Sequence, residues 1–267
     1  MPEKLSDNSH KLVEVTCEFQ CSSKCSKTIK TQYRNVVANR KRNKGKYICL
    51  YCSRKLKYTG RSNPNCKHRD IDDNFFKTID TEIKAYILGW VISDGSIRES
   101  GWALGVKKDD MQCLQRIADE ISSTLRVSLV ENRFVRIYVS SKTMAKDLCE
   151  LLSISPGPKA SLVQMPILKN RKLQLACVRG IFDGDGHLTN PLKNKAAHLR
   201  AGISTSSKQL RKQISNIIEI PCYEGVDKLE WSCNNALDFL GLLYENANYY
   251  LQRKYDLINV GVNLCQA

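Results

Sequence analysis

The sequence predicts an α+β protein, two tandem αββαββα half-domains with pseudo-two-fold symmetry preceded by a small cysteine-rich zinc-binding module. Three observations carry this expectation. The order of predicted elements repeats after Asp80, two matching glycine-punctuated helix ends lie 91 residues apart at Asp94 and Asp185, and cysteines and positive charge crowd toward the N-terminus. The expected boundaries are 1–75 for the module, 76–170 for the first half and 171–267 for the second.

In the first copy a helix starts at Thr81 and ends at Gly95, followed by short strands over Ser96–Arg98 and Trp102–Val106. A helix over Asp109–Leu125, strands near Val127–Val130 and Phe134–Ser140, and a helix over Thr143–Leu152 complete it. The second copy has a helix from Leu173 to Gly186, strands near His187–Thr189 and Leu199–Thr205, a helix over Lys208–Ile218, a strand over Lys228–Cys233 and a helix over Asn235–Tyr244. Period-two alternation supports the strands: Val135, Ile137 and Val139 oppose Arg136, Tyr138 and Ser140, and Leu229, Trp231 and Cys233 oppose Lys228, Glu230 and Ser232. One face of each sheet is therefore core. The other is polar and partly basic, suited to a DNA groove, and Arg98, Arg136, Tyr138, Arg200 and Lys228 are its expected DNA-binding residues.

Before these copies, a strand over Lys11–Thr16 leads to a cysteine knuckle ending at Cys25, a polar strand near Thr28–Tyr33 and a basic link to Tyr47. A second knuckle at Cys49 and Cys52, a loop around Gly60, Asn63 and Pro64, and a linker over Asp70–Asn74 follow. Six of the twelve cysteines fall here: Cys17, Cys21, Cys25, Cys49, Cys52 and Cys66. Cys49-x2-Cys52 with its upstream partners resembles a zinc ribbon, in which two knuckles supply four thiolates. Cys21 and Cys25 are the favoured upstream ligands because they lead directly into the next strand; Cys17 with Cys21 is the alternative, and Cys66 and His68 are further donors.

At 267 residues and 42% hydrophobic content, the chain can bury a core in each unit. No stretch has the roughly 20 apolar residues needed to span a bilayer. Met1–His10 is polar and lacks the apolar centre of a signal peptide, so a soluble intracellular protein with no membrane partner is expected. Lys and Arg number 42 against 27 Asp and Glu, and fifteen of the basic residues lie between Phe19 and Arg69, where there is no acid. The remainder is balanced, so attraction to a polyanion concentrates in the N-terminal fifth. Tyr33, Tyr47, Ile48 and Tyr51 interleave with these charges, which marks a folded module rather than a charged tail.

The two leading helices end in Ile87-Leu88-Gly89-Trp90-Val91-Ile92-Ser93-Asp94-Gly95 and Val178-Arg179-Gly180-Ile181-Phe182-Asp183-Gly184-Asp185-Gly186. Small residues recur four apart, Gly89 with Ser93 and Gly180 with Gly184, so each helix carries a flat face that lets another backbone approach. A helix-interior glycine costs about 1 kcal/mol relative to alanine, which such packing would offset. Gly95 and Gly186 are expected to end the helices in the left-handed conformation. Asp94 and Asp185 then stand at helix C-termini, where the macrodipole disfavours negative charge and a nearby cation is required. Packing through the small faces would bring both carboxylates to one edge, where divalent ions would relieve their repulsion. Asp183 and Asp185 are a poorer acid pair, because residues two apart on a helix face different directions.

These residues resemble the LAGLIDADG family, in particular the dodecapeptide (DOD-type) homing endonucleases with two motifs in one chain, and the likeness covers about Thr81–Ile258. The resemblance implies two αββαββα halves around a motif-helix interface, with strands laid along duplex DNA at a long recognition site and both strands cut across the minor groove. It implies that Asp94 and Asp185 hold catalytic Mg2+, and that Lys159, in Pro158-Lys159-Ala160-Ser161-Leu162, and Lys254, in Tyr250-Leu251-Gln252-Arg253-Lys254-Tyr255, stand near the active centre to stabilise charge on phosphate or position water. Ser93 and Gly184 replace the family's alanine with residues equally small. A monomeric, free-standing enzyme of a mobile genetic element, acting in intron homing, is expected. A non-cleaving protein of the same fold, an RNA maturase or a DNA-binding regulator, is the alternative.

Overall fold

The computed structural model describes residues 6–18, 28–50, 52–53, 70–189 and 199–258. The chain divides into two compact units, Met1–Arg69 and Asp70–Ala267. In the first, β1 (Leu12–Thr16) pairs antiparallel with β2 (Thr28–Gln32), and α1 (Tyr33–Arg42) follows. Helix α1 occupies the stretch expected to be a basic link. Its charges hid its helical character, since Val36 is its only buried residue, while Arg40, Lys41 and Arg42 sit in the last turn, where the helix dipole favours cations. Three basic residues of this unit pair with acids that precede Phe19: Lys30 with Glu14, Arg40 with Glu18 and Lys41 with Asp7. Exposed pairs of this kind contribute at most about 1 kcal/mol each. Cys17, Cys49 and Cys52 are buried with Val15, Val36, Tyr47 and Ile48. The expected ligands Cys21 and Cys25, with Cys66, His68, Gly60, Asn63 and Pro64, lie outside the described residues.

The second unit contains the αββαββα pattern twice. The first half comprises α2 (Glu82–Asp94), β3 (Gly95–Arg98), β4 (Gly101–Lys107), α3 (Met111–Ile121), β5 (Ser128–Val130), β6 (Phe134–Val139) and α4 (Lys142–Leu152). The second comprises α5 (Arg171–Asp185), β7 (Gly186–Leu188), β8 (Arg200–Ser204), α6 (Lys208–Ile218), β9 (Tyr223–Glu224), β10 (Lys228–Ser232) and α7 (Asn234–Tyr244). Each half forms an antiparallel four-stranded sheet with the same connectivity, β3-β4-β6-β5 and β7-β8-β10-β9. Strand β9 has only two residues, too short to show alternation.

Side-chain caps set the starts of four helices: Thr81, Ser141, Asn170 and Ser207 each accept a hydrogen bond from a backbone N–H three residues on. Helices α3 and α6 are amphipathic, burying Leu114, Ile117, Ala118 and Ile121, and Leu210, Ile214 and Ile218. Helix α3 stops at Ile121, short of the expected Leu125, because Ser122, Ser123 and Thr124 turn their hydroxyls to the carboxylate of Asp70 at 2.7, 2.8 and 2.6 Å. The same hydrogen bonds correct the expected linker. Asp70 is clamped to the first half, and Ile71, Phe75 and Phe76 are buried in the core of this unit.

Helices α2 and α5 lie at the centre. Every residue of α2 from Ala85 to Ile92 is buried, as are Ala176 to Asp183 of α5, so both are enclosed on all sides. They pack in parallel through their small faces. A β-carbon on Gly89 would collide with the carbonyl oxygen of Cys177 and stand 2.8 Å from the Gly180 α-carbon; one on Gly180 would collide with the carbonyl oxygen of Tyr86. Cys177 precedes Gly180 by three residues and Tyr86 precedes Gly89 by three, so the two close approaches are related by a local two-fold. The expected left-handed conformation of the terminal glycines is not adopted. Gly95 and Gly186 are extended, with φ of −72° and −80°, and a side chain is excluded because its β-carbon would strike the carbonyl of Val91 or Phe182.

The Gly89→Ala substitution should therefore destabilise the protein by about 3 kcal/mol, the upper range for overpacking against backbone that cannot retreat. In Gly241→Ala, by contrast, the added methyl meets nothing within 4 Å, and a gain of about 0.5–1 kcal/mol is expected from helix propensity. Urea unfolding of the two variants checks this; equal midpoints would refute the packing argument.

Candidate active site at the paired helix ends

Asp94 and Asp185 are the last residues of α2 and α5. Because the helices run parallel and in register, both carboxylates arrive at the same end of the pair. Gly184 makes room there: a β-carbon at that position would overlap Ser93 and lie 2.7 Å from Asp94 Oδ2. Both aspartates are open to solvent on one side. Partial burial nevertheless raises each carboxyl above its usual range, and for Asp94, with the charge of Asp185 adding to burial, the pKa is raised to about 6. Lys159 and Lys254 act in the opposite direction on both.

The cation that the helix ends require is supplied by these two lysines. Lys159 Nζ donates to the carbonyl oxygens of Ile92 and Ser93, the latter at 3.0 Å. Lys254 Nζ donates to the carbonyl oxygens of Phe182, Asp183 (3.1 Å) and Gly186 (2.6 Å), which engages all three of its protons. Both side chains are buried, and burial lowers both amines, Lys254 to about 8. Each lysine thus closes the C-terminus of the motif helix in its own half.

Two clefts open beside the helix ends, and each combines groups from both halves. Asp185 and Lys159 line one of about 680 Å³, together with Ser93, Ser96 and Arg98. Asp94 and Lys254 line the other, of about 350 Å³, with Asp110, His187 and Arg253. Each carboxylate therefore shares a cleft with the lysine of the opposite half.

Three supporting groups carry no signal in the sequence. Asp183, only 1% exposed, accepts from Tyr86 Oη and from the Leu251 N–H, both at 2.8 Å, and from Tyr244 Oη. Its carboxylate is satisfied by partners within the core, and the residue also lines the cleft that holds Asp94 and Lys254. Arg179, 4% exposed, donates to the carbonyls of Leu243 (2.7 Å) and Tyr249 (2.8 Å) and forms a 2.6 Å ion pair with Glu82 of α2. Arg253 grips Asp110 of the first half with two hydrogen bonds, of 2.7 and 3.0 Å, immediately before Lys254. Only the lattice of buried partners, which involves residues far apart in sequence, distinguishes these side chains from ordinary surface charges.

The five residues expected on the DNA side all lie on the faces of the sheets opposite the core. In the first sheet the buried face carries Leu104, Val135, Ile137 and Val139, while Arg98, Arg136 and Tyr138 point away from it. In the second, Leu229 and Trp231 are buried, and Arg200 and Lys228 lie opposite. Small residues lower the middle of each face: Ala103 pairs with Tyr138, Gly105 with Arg136, and Gly202 stands between His187 and Glu230. Glu230 holds Lys228 at 3.3 Å and His187 at 3.6 Å, so the second face is less basic than its cations alone suggest.

No family model matches the chain, and no curated protein matches it. Among solved structures it is similar to the LAGLIDADG meganuclease I-CpaMI bound to uncleaved DNA, at 13% identity over 68% of this chain and 92% of that one, with a TM-score of 0.45. It is also similar to the I-LtrWI LAGLIDADG homing endonuclease bound to target DNA, at 13% identity over 71% and 92% with a TM-score of 0.44. A third likeness, to the N-terminal LAGLIDADG domain of DUF199/WhiA, has 15% identity over 69% and 94% and a TM-score of 0.41. Values this low do not assign the chain to a family. Among the described residues, no helix is long and apolar enough to cross a membrane.

An acid whose folded pKa is raised costs stability as it ionises. For Asp94 that cost is absent below its ordinary value of 3.8 and complete above about 6. In metal-free protein, Asp94→Asn should accordingly raise Tm at pH 8 and leave it unchanged below about pH 3. A Tm difference independent of pH, measured by calorimetry, would contradict this electrostatic account.

Proposed function

We propose that this chain is a site-specific double-strand DNA endonuclease acting as a monomer, with the paired helix ends as its active centre. One observation carries the reading: two carboxylates from equivalent places of a repeat meet at one edge, each sharing a cleft with a buried lysine of the other half. Two composite clefts related by a local two-fold suit a substrate with two antiparallel strands. The sheet faces that carry Arg98, Arg136, Tyr138, Arg200 and Lys228 supply groups for phosphate and base-edge recognition.

The donor set fits a hard divalent cation such as magnesium: two carboxylates, accessible on one side, with nearby backbone oxygens and room for water. Bound there, the ion would supply Lewis-acid stabilisation of phosphate charge and make water a better nucleophile at neutral pH. Asp94 and Asp185 are the carboxylates that would hold the metal beside the helix ends. Lys159 and Lys254 keep positive charge beside the scissile phosphate while fastening the last carbonyls of the motif helices. Protons and metal compete for the same carboxylates, so the magnesium needed for half-maximal cutting should rise as pH falls below about 6.

Incubating the protein with magnesium and a randomised duplex library, then sequencing the broken ends, should return one specific site. Asp94→Asn and Asp185→Asn should each reduce double-strand cutting by about 10²–10³-fold or more while DNA binding persists. Wild-type activity in both variants would place the chemistry elsewhere, and no specific breaks from the parent would leave a nucleic-acid-binding protein that does not cut.

The N-terminal unit, with its excess of Lys and Arg, would neutralise further phosphates in a sequence-tolerant way. A chain starting at Asp70 keeps the clamp to Ser122–Thr124 and should bind the selected site more weakly. Its log–log salt slope should be shallower by about 0.9 for each phosphate that the N-terminal unit neutralises in the full chain. An unchanged slope would give this unit another role.

A further inference from the structure

Among its described residues the N-terminal unit has a small apolar interior. Its described buried cluster holds seven residues, Val15, Cys17, Val36, Tyr47, Ile48, Cys49 and Cys52, and three of these are cysteines. A unit of this size is marginal on its own core, and a crosslink or a metal is a common supplement. The three thiols converge. Their sulfurs all lie within 4.8 Å of one another, and Cys17 Sγ and Cys52 Sγ are 3.6 Å apart.

That spacing is far outside the bonded S–S distance of about 2.05 Å. It is close to the roughly 3.8 Å between sulfurs that share a tetrahedral zinc at about 2.3 Å each. Backbone geometry prepares the sulfurs for negative charge. The Cys49 N–H donates to Cys17 Sγ at 3.3 Å, and the Cys52 N–H donates to Cys49 Sγ at 3.4 Å, across a turn closed by the Ser53 N–H on the Cys49 carbonyl at 2.8 Å. N–H groups aimed at sulfur stabilise thiolate over thiol, the state a metal requires. Cys17 stands directly after β1, so a metal here would tie the start of the hairpin to the CxxC turn more than thirty residues later.

We propose that Cys17, Cys49 and Cys52 are three ligands of a structural zinc ion that holds the N-terminal unit together, with Cys17 as an upstream partner that reaches the CxxC pair. Closed structural zinc sites take four donors, and three of them are placed by the described residues.

The test uses the full chain, purified under reducing conditions without added metal. Plasma mass spectrometry should find about one zinc per chain, released together with the protected thiols when a mercurial is titrated in. Cobalt exchanged into the wild-type protein should show thiolate-to-metal charge-transfer bands, a readout that needs no variant to fold. Cys17→Ser should lose the stoichiometric metal, and Cys222→Ser, outside the cluster, should keep it. Three outcomes overturn the proposal: a folded wild-type protein with no metal and all thiols reactive, a Cys17–Cys52 disulfide in the non-reduced peptide map, or full zinc occupancy in Cys17→Ser. None of these measurements depends on DNA cleavage.

Discussion

The structure of the larger unit depends on two helix backbones touching without side chains between them. At Gly89 and Gly180 the facing carbonyls of Cys177 and Tyr86 occupy the space a β-carbon would need. An approach this close fixes the register of α2 and α5, and the contacts of Gly180 with Tyr86 and Gly89 and of Gly184 with Ser93 and Asp94 make the helices parallel. Parallel packing has an electrostatic cost, because it places two negative dipole ends side by side and adds a carboxylate to each. Buried lysines on both C-termini and enclosure of both helices in apolar surroundings offset it.

Around that crossing, polar groups set the orientation that apolar packing leaves loose. Arg179 joins the start of α2 to the loop beyond α7, and Asp183 gathers Tyr86, Tyr244 and the Leu251 amide onto one carboxylate. Burial alone pushes the carboxyl of Asp183 upward, while these three donors and Lys254 oppose that shift. Buried charges of this kind cost little only when every partner is in place, so the network rewards one arrangement of the halves and penalises slippage. The clefts inherit that precision, since the residues lining them hang from the same helix ends.

Much of the larger unit is legible in the sequence because its signals are periodic or local. Hydrophobic alternation locates β6 and β10, the apolar stripes locate α3 and α6, and the paired glycine motifs locate the crossing itself. The misses have physical reasons. Helix α1 reads as a charge run because only Val36 faces a core. The segment after Arg69 reads as a linker because its anchors, Ser122 to Thr124, are fifty residues away. Gly95 and Gly186 suggest a left-handed turn, whereas crowding by a carbonyl four residues back is what excludes a side chain there. Of the candidate site, the two motif aspartates and the two lysines that lie at the helix ends can be named from the motif and its context. Asp183, Arg179 and the Asp110–Arg253 pair cannot, since nothing local in sequence announces a partner 61 to 143 residues distant.

The bond between Arg253 and Asp110 bears on how such a molecule can change over time. Lys254 belongs by sequence to the second repeat, yet its neighbour is anchored to the first, and it stands in the same cleft as the first repeat's aspartate. Neither repeat therefore lines either cleft alone. Exchange of one repeat for that of a distant cousin would separate a carboxylate from its amine as well as two packing faces, so the pair is constrained to diverge together, with freedom reserved for the outward strand residues that no partner holds in common.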